Sequence, residues 1–227
     1  MAGRSQGMSR PPQIEVTVLR VFCREGGGGG NELGVVLDGS AVERNDRQAL
    51  AARLGYAETV FVEDAAAGRI AIHTPATELP FAGHPTVGTA WLLRREGIEV
   101  EALHPPAGRV PVRFADEEAF VAARPEWCPP FELRQLQDPR AVESHPIAES
   151  GLLYVWAWIE EGAGTIRSRS FVPEAGIAED EATGAAAVRL CAQIARPIEI
   201  HQGRGSLLRA RPLGDGMVEI GGLVAAA

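Results

Sequence analysis

Residues 73–90, HTPATELPFAGHPTVGTA, and residues 170–187, SFVPEAGIAEDEATGAAA, pass through the same order of events. In each, a strand-like segment runs to a proline, Pro75 or Pro173, a polar turn follows, and a helix start carrying Thr and Gly leads into alanines. Self-similarity of this kind predicts an α+β chain of two pseudo-symmetric lobes, each a curved, barrel-like mixed sheet around a central helix. Both helix starts then face one shared cleft. The repeat alone leaves chance similarity between two short strand–turn–helix segments open as the alternative. The division expected is a first lobe over residues 13–105 and a second over 106–227, with the terminal strands free to pack back on the first.

The neighbouring segments fit that plan. IEVTVLRVF (14–22) alternates as a strand does, and GVVLD (34–38) reads as a second strand. Between them, five glycines at 26–30 read as a loop. Ser40 followed by Glu43 matches a capping box, and Leu50, Ala51 and Leu54 before Gly55 match a short amphipathic helix with a glycine stop. ETVFVED from Glu58 and GRIAIHT from Gly68 are strand-like. The helix that starts at His84, with Pro85 in its first turn and Gly97 near its end, shows no charged side chain until Arg94. It is therefore predicted to be buried. The second half supplies RVPVRF, AFVAARP, GLLYVWAWIE and IRSRSFV as strands, a small-residue helix over 183–195 ending before Pro197, and then PIEIHQG, LLRARPL and MVEIGG.

Composition narrows the function classes. The 227 residues are 45% hydrophobic and 23% charged, enough to bury one large core or two small ones. All 22 basic residues are Arg, the net charge is −8, and no basic cluster is dense enough for a nucleic-acid footprint, so DNA and RNA are set aside as partners. No apolar run reaches the ~20 residues of a membrane helix. Residues 1–12, MAGRSQGMSRPP, lack the apolar centre of a secretion signal and read as a flexible tail, which leads to the expectation of a cytoplasmic protein. Cys23, Cys128 and Cys191 are widely spaced and odd in number, which indicates neither a disulfide framework nor a metal site.

A helix start offers unpaired backbone N–H groups and a partial positive charge, so two starts on one cleft would seat a carboxylate. Gly83, Gly88 and Gly184 sit where such a seat needs glycine, although each also reads as a position for tight helix packing. His84, Glu179, Asp180 and Glu181 are the polar groups near these turns, and Glu58 opens the strand that continues with Thr59. Taken singly, Glu58 reads as a solvated strand edge, Asp180 as a helix cap and His84 as a structural residue.

Three long stretches in order change that reading. AETVFV (57–62), HTPATELPFAGHPTVGTAWLL (73–93) and RSFVPEAGIAEDEATGAAA (169–187) together resemble the signature stretches of the PhzF-like family, which has the diaminopimelate-epimerase fold. RVF at 20–22 and the Gly30-Asn31 pair before VVLD resemble the family's opening; the likeness runs from about Val18 to Gly222 and is weakest over 105–150. The resemblance implies a cofactor-independent isomerase that moves a proton within a small carboxylated substrate, with Glu58 as the proton shuttle. It further implies that His84 and Asp180 bind and orient substrate, that Asn31, Gly83, Thr183 and Gly184 lie near the pocket, and that the protein pairs as a homodimer.

Two departures stand out. The family's EDPATGSA is here EDEATGAA, so Glu181 and Ala185 replace Pro and Ser, removing one pocket hydroxyl and adding a carboxylate expected to intrude on the pocket. The closing segment HQGRGSLLRARP (201–212) is contracted. Those losses make a catalytically silent small-molecule-binding or interaction protein the alternative. An amino-acid racemase or epimerase needs two thiols about the α-carbon; Ala82 precedes Gly83, and no cysteine adjoins Thr183 and Gly184, so that reading ranks last.

Overall fold

A computed structural model describes residues 14–227; the tail expected over 1–12 lies outside the described residues. The chain opens with β1 (Thr17–Cys23) and β2 (Gly29–Val36), then α1 (Arg44–Leu54), β3 (Glu58–Asp64), β4 (Arg69–His73) and β5 (Glu78–Leu79). Helix α2 (Gly83–Arg95) follows, and β6 (Ala102–Leu103), β7 (Val110–Ala115) and β8 (Glu118–Ala123) close that stretch. Next come β9 (Glu132–Gln135), α3 (Pro139–Glu143), β10 (Leu153–Glu160), β11 (Thr165–Val172) and β12 (Ile177–Asp180). Helix α4 (Gly184–Ile194) leads into β13 (Ile198–Gln202), β14 (Ser206–Pro212) and β15 (Val218–Ala226).

The strands join in one mixed sheet along the path β5-β4-β3-β2-β1-β15-β14-β13-β11-β10-β9. β15 is the hinge of this order. Its first part pairs with β8 and β14, and its last residues, Leu223–Ala226, pair with β1. A division at 105/106 would separate β6 from β7, which are hydrogen-bonded to each other through Ala102↔Pro111 and Leu103↔Val110.

The α+β expectation holds, with few helices and one large curved sheet. Helix α2 packs on β1, β8 and β15, and α4 on β14 and β15. From Gly83 to Leu93 every residue of α2 except Trp91 is buried, as its lack of a charged face requires. Gly88 lets the helix lie this close: a Cβ there would stand 2.6 Å from Leu33 and 2.7 Å from Val21. Burial of side chains such as Leu93, Leu33 and Leu19, at about 1.5–3 kcal/mol each, supplies the main driving force for wrapping the sheet around the helix.

Two local expectations are corrected. Residues 26–30 are not all loop, because β2 begins at Gly29. Gly29 has φ +70, and a Cβ on it would lie 2.3 Å from the Gly205 carbonyl oxygen, so glycine is required where the β13–β14 hairpin presses on β2. The Ser40–Glu43 capping box does not form: residues 39–41 make a short 3-10 turn, the Ser40 hydroxyl donates to Asp38, and Glu43 caps α1 without a side-chain bond. At the other end Gly55 stops α1 in the left-handed conformation, as expected.

Candidate active site

The two helix starts meet. A Cβ built on Gly83 would lie 2.9 Å from the Gly184 Cα, and one built on Gly184 would lie 3.0 Å from the Gly83 Cα. Both glycines are therefore explained by helix–helix approach; their bare faces turn toward each other, not toward a ligand. Neither start has a side-chain cap, and Pro85 has no N–H to satisfy, so backbone donors of the first turns stay available.

Glu58 enters this meeting point as the first residue of β3, in parallel register with Leu33 of β2. Its side chain is 16% exposed, His84 on α2 is 5% exposed, and Glu58 Oε2 stands 3.2 Å from His84 Nε2. The two atoms are close but misaligned for a hydrogen bond, and neither finds another partner among the described residues. Burial, reinforced by the negative charge of Asp180, pushes the Glu58 carboxyl up to about 8. Burial also holds the His84 imidazole down at about 3, against a smaller opposing effect of a hydrogen bond to the Glu32 backbone. Near neutral pH the pair is thus a carboxylic acid beside a neutral imidazole, not a salt bridge.

Asp180, the last residue of β12, is held quite differently. Asn31 Nδ2 donates to its Oδ1 at 2.7 Å and the Thr183 hydroxyl to its Oδ2 at 2.6 Å. Desolvation raises this carboxyl to about 6 in spite of those bonds, so at neutral pH it is mainly ionised. Asp180 is not a helix cap: it bonds the Thr183 hydroxyl, while the Thr183 N–H donates to Gln202 Oε1 at 3.2 Å. Gln202, 1% exposed, also donates to the Asp180 carbonyl and to the Thr183 hydroxyl, both at 2.9 Å. Tyr154 donates its hydroxyl to Gln202 or to Ser168. Sequence reasoning missed Gln202 although a signal existed. In IEIHQ the period-2 face that buries Ile198 and Ile200 also buries Gln202, and a buried amide must find partners.

Glu58, Asp180 and Thr183 form the polar end of a cavity of about 340 Å³, walled by Phe81, Trp127, Phe131, Leu152, Val172 and Ile177. A cavity of about 440 Å³ beside Arg44 and Glu63 is larger, but those two charges pair with each other, so volume does not single out the site. Chemistry does. Among the described residues no Arg lines the Glu58 cavity. Ala185 lines it with a methyl group, as the missing hydroxyl predicts. Glu181 corrects an expectation: its carboxylate does not intrude but turns away to the Arg204 N–H and the Ser206 hydroxyl. Of the three cysteines Cys128 alone lines the cavity, with its thiol pushed up to about 12 by burial, so a pair of reactive thiols is not assembled there.

Similarity to known proteins agrees with this geometry. The sequence matches the phenazine biosynthesis-like protein family, PhzC–PhzF, over residues 19–124. It is 31% identical to the trans-2,3-dihydro-3-hydroxyanthranilate isomerase of Pseudomonas aeruginosa, covering 77% of this chain and 78% of that one. It is 28% identical to an uncharacterized isomerase of Deinococcus radiodurans over 85% of this chain and 82% of the relative. A Mesorhizobium japonicum isomerase shares 39% identity over 52% of this chain, but the match spans only 40% of that relative's length. The fold is similar to that of a PhzC/PhzF protein from Clostridium difficile, with a TM-score of 0.78 at 18% identity over 95% and 97% of the two chains. It is also similar to a proline racemase from Agrobacterium radiobacter, with a TM-score of 0.61 at 10% identity over 95% and 91%. No helix among the described residues is long and apolar enough to cross a membrane. With a curved sheet wrapped about two abutting helix starts, and the three signature stretches meeting at one cavity, the chain belongs to the phenazine biosynthesis-like PhzC–PhzF family of isomerases.

Proposed function

We propose that the protein isomerises a small carboxylated substrate by moving one proton, with Glu58 as the group that gives and takes it. The observation that carries this reading is the Glu58–His84 pair: a buried, protonated carboxyl with an unpartnered oxygen, at the same polar end of the cavity as an ionised Asp180. A carboxyl poised at about 8 is protonated at neutral pH, yet close enough to that pH to serve as acid in one half of the reaction and as base in the other. Glu58 protonates one atom of the substrate's unsaturated system, and the resulting carboxylate removes a proton from another. The catalyst ends as it began, and only a double bond and a hydrogen have moved. His84, neutral throughout, holds the carboxyl's orientation, and Asp180 accepts a hydrogen bond from a substrate amino or hydroxyl group. With no Arg among the described residues lining the cavity, the substrate carboxylate is received by backbone N–H groups at the starts of α2 and α4.

The expected division is a first lobe over residues 13–105 and a second over 106–227, although the β6–β7 pairing spans that boundary, and we infer a homodimer in solution; a monomeric mass by light scattering would overturn the latter. The catalytic reading is tested with trans-2,3-dihydro-3-hydroxyanthranilate, the substrate named for the Pseudomonas aeruginosa relative, in deuterated water. Wild-type protein is expected to turn it over with solvent deuterium entering the product, and Glu58→Gln to lose about 10²–10⁴-fold in rate. Equal rates for the two proteins would rule out the assigned role.

A further inference from the structure

We propose that Glu181 and Ser206 form a clasp that positions Asp180 against Glu58 by tying β12 to the start of β2. The proposal rests on the reading of Asp180 as a substrate-facing group, and its test is independent of turnover. Glu181 follows Asp180 directly, at the position where the family resemblance places a proline. A proline there would fix the backbone through its ring. Glu181 instead fixes it from outside, through contacts made by its carboxylate.

The contacts are specific. The Arg204 N–H donates to both carboxylate oxygens of Glu181, at 2.9 and 3.1 Å, and the Ser206 hydroxyl donates to Oε1 at 2.9 Å. Ser206 in turn accepts from the Gly30 N–H at 2.9 Å. The Arg204 side chain is 96% exposed and its guanidinium is 3.6 Å away, so the backbone and the serine, not that ion pair, define the geometry. Gly203 is shaped to the same purpose: it has φ +56, and a Cβ on it would lie 2.5 Å from Glu181 Oε2. Nothing larger than glycine fits under the carboxylate.

The clasp has a twin. Asn31 reaches Asp180 directly, and the preceding residue, Gly30, reaches Glu181 through Ser206. Two adjacent residues of β2 therefore hold two adjacent residues at the end of β12, from the chain's first half to its second. Asn31 and Thr183 hold the two carboxylate oxygens of Asp180, and the Glu181 clasp holds the backbone that carries them. Glu181 also acts on Asp180 by charge, favouring its protonated form, and the Asp180 carboxylate in turn favours the protonated forms of Glu58 on β3 and of Tyr154 on β10, which is linked to the network through Gln202.

The full chain carrying ¹³C-carboxyl aspartate, titrated by NMR, reads the charge; amide hydrogen exchange reads the clasp. In Glu181→Gln the Asp180 titration midpoint is expected to fall by about 0.5 pH, because a neighbouring negative charge is gone. In Ser206→Ala the Gly30 amide is expected to exchange about tenfold faster while the Arg204 amide, still bonded to Glu181, keeps its protection. An unchanged Asp180 midpoint in the first variant, or an unchanged Gly30 exchange rate in the second, overturns the clasp. Neither measurement depends on catalysis, so a failure of the isomerase reading at Glu58 leaves both outcomes intact, and a failure here leaves the Glu58 test standing.

Discussion

The two polar clusters at the cavity are built on opposite plans. Around Asp180 the carboxylate and its holders are matched: Asn31, Thr183 and Gln202 use their donors and acceptors on one another and on the carboxylate, while Ser170, opposite Asp180 in the ladder, keeps a buried hydroxyl without a partner among the described residues. Around Glu58, Oε2 and His84 Nε2 are both buried and unpartnered among the described residues. A buried polar atom without a partner costs about 1–3 kcal/mol. The first cluster is a fixed post, and the second is a reactive group kept under-solvated. Proton transfer needs both, since a carboxyl already saturated with hydrogen bonds would be a weaker base and a less available acid.

The largest expected effects are those that break this contrast at Glu58. Beside the rate loss in Glu58→Gln, the two proteins should diverge in stability with pH. Glu58 has a folded value of about 8 against an ordinary value of 4.5, so the folded state holds its proton where the unfolded chain has released it. Its contribution is complete below the unfolded value and is lost as pH rises through the folded one. Relative to Glu58→Gln, the wild-type protein should lose stability between about pH 4.5 and pH 8, on the order of 5 kcal/mol by urea denaturation. A stability difference that stays constant over that window would mean that Glu58 is ionised in the folded protein.

His84 carries the opposite sign. Its folded value of about 3 lies below the ordinary imidazole value, so its contribution is present above about pH 6.5 and is lost as pH falls toward 3. Glu58 and Asp180, whose values are raised, gain over the same range and offset that loss, so the His84 contribution shows against His84→Gln: the variant should gain stability relative to the wild-type protein as pH falls from about 6.5 toward 3. Acid unfolding followed by circular dichroism decides the matter: parallel curves for the two proteins would mean that the imidazole titrates freely.

Much of this arrangement was legible in the sequence wherever signals were local. The buried helix α2 follows from its absent charged face, the α1 stop from Gly55, and strands β3 and β4 from their alternation. The three signature stretches named Glu58, His84 and Asp180, and the fold brings all three to one place. What escaped was nonlocal. Gly29 belongs to a strand only because Gly205 presses on it, and Glu181 turns from the cavity only because the hairpin at 203–206 supplies its partners. The short elements β9, α3 and β12 carry too few residues for a periodicity, although Asp138 before Pro139 was a readable cap, accepting from the Ala141 N–H at 2.8 Å.

The smallest effects compare two buried threonines: Thr183 in the Asp180 cluster, and Thr59 on the face of β3 turned away from Glu58, with Phe61 and His73. Thr183 uses its hydroxyl twice, donating to Asp180 and accepting from Gln202, whereas the Thr59 hydroxyl has no partner. Valine has the same shape without the hydroxyl. Thr183→Val should cost about 1–3 kcal/mol, since it strands a carboxylate oxygen and an amide in a buried site. Thr59→Val should be neutral or stabilising by up to about 1 kcal/mol, since it removes a buried hydroxyl that gains nothing from folding. Urea denaturation of the two variants makes the comparison directly. Equal losses would mean that the Thr59 hydroxyl is bonded in solution after all.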